Sequence, residues 1–164
     1  MSDQPYYLAA LPLVAWSRVW SPITPDPLRL EAWDALELPQ SYESVKTEYW
    51  STFQMGSPIP EVPLLLHAAL NMEGDHARTD WIRVIDYLGL EWNHVHLPPD
   101  QLGVACEIYA CAIQSEEPIL IQELRERYFL PWCQFAKLHL MNIQTSLLFL
   151  PESFEQDLLA IPTP

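Results

Sequence analysis

Apolar positions along the chain recur at intervals of three and four, and strand-like alternation is scarce. "YYLAALPLVAWSRVW" predicts a first helix, with Leu8, Leu11 or Pro12, Ala15 and Val19 along its inward side. Pro12 would sit near the start of that helix or kink it. "SPITPDP" breaks the chain, and "LRLEAWDALEL" predicts a second, amphipathic helix. In "YESVKTEYWSTFQM" the residues Val45, Tyr49 and Phe53 recur every fourth position. "GSPIPEVP" interrupts again, before "LLLHAALNM" and "HARTDWIRVIDYLGL", where Trp81, Ile85 and Leu88 share a face. "EWNHVHLPP" is expected to be a loop.

From Gln101 onward, Leu102, Cys106, Tyr109 and Ile113 form an inward stripe on the next helix. Asp100 is placed to cap this helix, Pro98 and Pro99 to stiffen the approach, and Gly103 to admit a neighbouring helix closely. "EEPILIQELRERYF" opens with acids and a proline, which suits a helix start by charge and geometry. "LPWCQFAKLHLMNIQTSLLFL" continues helical, and "PESFEQDLLAIPTP" closes the chain. The expectation is an all-α fold, a single compact helical bundle over residues 1–164.

Composition sharpens this picture. Hydrophobic residues make up 49% of the chain, with seven Trp and seven Tyr, which rules out a disordered tail. Acids outnumber bases 22 to 8, a formal charge of −14 that repels nucleic acid and anionic membranes and favours basic partners. No run of roughly 20 apolar residues is long enough to span a bilayer. "MSDQPYYLAALPLVAW" has no Lys or Arg before its apolar run, so it does not read as an export signal. Cys106, Cys111 and Cys133 are odd in number and lack a CxxC spacing, as expected of reduced, mostly buried thiols in the cytoplasm.

Catalytic and metal motifs are scarce. His94 and His96 stand one residue apart in a loop, without an HExxH or a Cys/His cluster beside them, so no metal is expected. There is no G-x-S-x-G turn and no glycine-rich phosphate loop. The chain reads as a binder and not as an enzyme, with no cofactor of its own and no nucleic-acid partner.

Three stretches carry a more specific reading. In the first, Glu48-Tyr49 is followed after two residues by Thr52-Phe53, and after six more by Pro60, with Trp50 in between. The second is Pro98-Pro99-Asp100-Gln101-Leu102-Gly103, and the third is "YFLPWCQF" with Pro131 and Trp132. In this order they resemble hallmarks of the maturation chaperones for complex iron–sulfur molybdoenzymes, the TorD/DmsD/NarJ family. Those hallmarks have forms near E-x3-E-Y-x2-L-F-x6-P, P-P-D-H-[LI]-G-x-E-L-x-F and H-L-x-P-W-x-x-x-F. Glu43 stands five residues before Glu48 and not four, Thr52 stands for the usual Leu, Gln101 for the His, and Tyr128-Phe129 for His-Leu. The chain thus resembles a divergent member, possibly of the branch serving type II enzymes of the DMSO reductase family.

The resemblance implies an all-helical cytoplasmic chaperone. Such a protein binds the N-terminal, twin-arginine-type leader and apo form of a molybdoenzyme catalytic subunit. It assists molybdenum cofactor insertion and prevents premature export. Carried over residue by residue, the peptide site would comprise Glu48, Tyr49, Trp50, Phe53, Pro60, Pro98, Pro99, Asp100 and Gln101. Asp100 and Glu48 would meet the arginines, and Trp50, Phe53, Pro60 and Pro99 would line a groove for the apolar run. The alternatives are an accessory or structural subunit of a redox complex, or a small hydrolase using Cys106 or a His.

Overall fold

The first apolar segment folds as one helix, α1 (Gln4–Trp20), in the computed structural model, which describes residues 4–92 and 96–162. Its buried side is formed by Ala10, Leu13, Trp16, Val19 and Trp20. The inward stripe expected from Leu8, Leu11 and Ala15 is therefore corrected, since Leu8 is 59% and Leu11 45% exposed. Two tryptophans and a leucine bury far more apolar area than two leucines and an alanine, and they set the rotation of the helix. Pro12 neither starts nor ends α1 but lies inside it. Its ring removes one N–H donor from the helix on this outer side.

The helix α2 (Asp26–Ala35) has a proline in its first turn, and α3 (Tyr42–Tyr49) is capped by Ser41, which accepts from Ser44 N. A π-turn, Trp50–Gln54, extends α3. Val45, Tyr49 and Phe53 are all buried, as their spacing predicts. After α4 (Leu66–Ala69) and α5 (Gly74–Tyr87) comes α6 (Leu102–Gln114), whose stripe Leu102, Cys106, Tyr109 and Ile113 is fully buried. The helix α7 (Pro118–Leu124) begins on its proline and passes through a second π-turn, Arg125–Phe129, into α8 (Leu130–Asn142). A 3₁₀ turn leads to α9 (Phe149–Leu159).

The all-helical expectation holds: no strand occurs among the described residues, and an isolated bridge joins Leu65 and Gln101. No helix among them is long and apolar enough to cross a membrane. Helices α1 and α6 run antiparallel. The start of α1 shares a hollow with Gln114, and its end meets Gln101. Gly103 sets how closely they approach. A Cβ there would lie 2.9 Å from both Ser17 O and Ser21 N, so only a hydrogen fits. Trp20 forms the centre of the core, with ring centroids 5.2 Å from Trp132, 5.3 Å from Phe53 and 5.5 Å from Trp16. Such aromatic pairs each add about 0.5–1.5 kcal/mol beyond area burial.

Candidate functional site

The last carbonyls of an α-helix have no partner within the helix and must find one outside it. At the end of α1 they find motif side chains. The Tyr49 hydroxyl donates to Val19 O, and the amide of Gln54 donates to Trp20 O at 3.1 Å. Gln101 Nε2 donates to the same Trp20 carbonyl at 2.9 Å. Arg29 donates to Ser21 O at 2.7 Å.

Gln101 also caps α6. Its Oε1 accepts from Gly103 N at 2.7 Å and Val104 N at 3.2 Å. One amide thus closes the end of α1 and the start of α6, using a donor and an acceptor at once. The expectation that Asp100 caps α6 is corrected accordingly. A glutamine side chain, one methylene longer than asparagine, reaches back to the first turn while Asp100 is drawn the other way.

Asp100 is fully buried and organises the turn before α4. Its Oδ2 accepts from His67 N at 3.1 Å and lies 2.5 Å from His67 Nδ1. Its backbone carbonyl accepts from Leu66 N at 2.9 Å. Arg78 Nε stands 3.8 Å from Oδ1, and neither of these two atoms has a hydrogen-bond partner among the described residues.

Glu48 is engaged as well. Its carboxylate accepts from Ser146 N at 3.1 Å, from Ser146 Oγ at 2.5 Å and from the Thr145 hydroxyl. Burial pushes this carboxyl up, but the hydrogen bonds from Ser146 and Thr145 outweigh it and hold it below its ordinary value. Trp50 donates to the Tyr42 hydroxyl at 2.9 Å. Arg29, itself buried, lies 5.0 Å from the Trp50 ring and 5.8 Å from those of Tyr42 and Tyr49. Burial pushes the Tyr49 hydroxyl up to about 12, against the pull of Arg29.

The third motif closes the same hub. Trp132 Nε1 donates to Pro63 O at 3.0 Å, while Pro131 stands in the first turn of α8. Tyr128 donates to Asp80 Oδ2 at 2.7 Å, and Phe129 stacks on Tyr109 at 4.6 Å.

Of the nine positions expected to meet a peptide, Tyr49, Phe53, Pro99, Asp100 and Gln101 are buried. Glu48, Trp50, Pro60 and Pro98 keep part of their surface in solvent. The fold brings the motifs together in its interior, around Trp20. No family model, curated protein or solved structure matches this chain.

What sequence reasoning missed lies on the outer surface. Beside α1 and α6, a cleft of about 320 Å³ is lined by Val14, Ile85, Leu90, Trp92 and Val104, with Glu107 among its walls. On the other side of α1 a second groove faces α2 and α9. The readable sign was α1 itself, in which Arg18 is the sole charged residue of 17. The cysteines offer little chemistry. Cys106 and Cys133 are buried, and burial pushes both thiols well up, so neither is a thiolate at neutral pH. His96 is exposed, and His94 lies outside the described residues.

Proposed function

We propose that this chain is a maturation chaperone that binds the leader and apo form of a molybdoenzyme catalytic subunit, of the DMSO reductase family, in the cytoplasm. It holds the subunit while molybdenum cofactor is inserted and delays export until that step is complete. The observation that carries this reading is the order of the three motif stretches, which meet around one hub at the end of α1. A chain with 22 acids against 8 bases suits a partner segment that begins with arginines. The client's leader, an apolar run behind those arginines, then needs apolar surface beside acids.

The test is a pull-down from the native host with the tagged full chain, read by mass spectrometry, followed by a molybdenum cofactor assay on what is recovered. The expected result is one large molybdoenzyme subunit, captured mainly without cofactor. Capture of the loaded, mature enzyme would instead make the chain a permanent subunit of a redox complex. Recovery of no such enzyme would overturn the chaperone reading.

A further inference from the structure

Helix α1 carries more apolar surface than the core uses. One stripe, Leu13, Trp16 and Trp20, is buried. A second stripe, Leu8, Leu11, Pro12 and Ala15, faces a groove of about 470 Å³ completed by Leu36 from the end of α2 and Asp157 from α9. A soluble helix usually turns charge toward water on the face it does not bury. Here the outer face is aliphatic.

The charge around this groove has one sign. Glu37 and Asp157 stand among its walls, and no lysine or arginine does among the described residues. Three bases elsewhere are engaged by the chain's own acids: Lys46 with Asp26, Lys137 with Glu155, and Arg127 with Asp80. Asp157 accepts from Trp16 Nε1 at 2.7 Å through one oxygen, which leaves the other available to a donor. Glu37 is exposed, just beyond the end of α2. The cleft on the other side of α1 also carries two acids, Glu91 and Glu107, but its walls are more aromatic and lie against α5 and α6.

We infer that the groove between α1, α2 and α9 is the seat of the client's leader, with the apolar run along Leu8, Leu11 and Leu36 and the arginines at Glu37 and Asp157. This assignment rests on the chaperone reading for the identity of the peptide. Its apolar half rests on α1 alone, and its polarity on the two acids. A guanidinium against a carboxylate provides the directional contact, and apolar burial provides most of the affinity.

The test uses the full chain and a synthetic peptide bearing adjacent arginines followed by a run of leucines and alanines, titrated by fluorescence anisotropy. Leu11→Glu and Glu37→Lys change exposed side chains, and circular dichroism checks that each variant is folded. The expected result is binding by the wild type, weakened about tenfold or more in each variant. A remote charge reversal on α7, Glu123→Lys, is expected to bind as the wild type does.

Wild-type binding that both groove variants retain in full would overturn the assignment and leave the chaperone reading standing. No binding by the folded wild type would overturn the assignment, and with it the leader-binding half of that reading. If Leu11→Glu instead converts a dimer of the free chain to monomer in sedimentation, the groove belongs to a second copy of the chain, and the assignment is overturned.

Discussion

The end of α1 and its outer stripe are parts of one helix, yet they are finished in opposite ways. At the end, Tyr49, Gln54 and Gln101 converge on the carbonyls of Val19 and Trp20, and Arg29 takes that of Ser21. On the outer stripe, Leu8 and Leu11 stay exposed beside a groove lined by two acids and, among the described residues, by no base. The difference separates two jobs that a sequence motif blurs together. Residues shared by a motif can define a frame, while the proposed partner surface lies roughly two to three helix turns away and carries no motif. Asp100 and Gln101 belong to the frame, since no solvent-facing atom is left for a peptide to use without rearrangement.

The contrast can be broken experimentally, most sharply at Asp100. Asp100→Ala leaves His67 N without its acceptor and Arg78 without its counter-charge. It should lower stability by about 3 kcal/mol, read from urea unfolding. Unchanged stability with lost leader binding would return Asp100 to the peptide site. Gln101→Ala should cost about 2 kcal/mol, because it uncaps two helices at once. Gln101→His should recover part of this, since a neutral imidazole also offers one donor and one acceptor.

Glu48 gives a smaller effect that depends on pH. Its folded carboxyl sits below the ordinary value, so its contribution is complete above the usual carboxylate range, about 4. That contribution is lost as pH falls through the folded value. Glu48→Gln should therefore shrink the acid limb of a stability-versus-pH curve and leave its slope near neutrality unchanged. The smallest effect is expected at Leu11, where Leu11→Glu should change stability by no more than about 0.5 kcal/mol. A large loss there would mean that the outer stripe is part of the core.

Helix type and most buried positions were legible because their spacing is unambiguous. Val45, Tyr49 and Phe53, and likewise Leu102, Cys106, Tyr109 and Ile113, bury the face their intervals define. The rotation of α1 was not legible, because a helix that is apolar nearly all round offers several equivalent stripes to a periodicity argument. Which stripe wins depends on Trp132, Phe53 and Phe154, all distant in sequence. The capping of α6 failed for a local reason. Asp is the commoner cap, but Asp100 was already claimed by His67, and Gln101 could reach both helices. The motif residues were expected to meet a peptide, and spacing alone does not distinguish a side chain facing solvent from one holding a carbonyl.

The way α1 is terminated also bears on the order in which the chain is assembled. Its 17 residues are made before the donors for its last carbonyls, which come from Arg29, Tyr49, Gln54 and Gln101. During synthesis the end of the helix stays open to water until Gln101 has emerged. Helix α1 is thus expected to lock only after the later elements form, and hydrogen exchange at its last turn should report the arrival of Gln101.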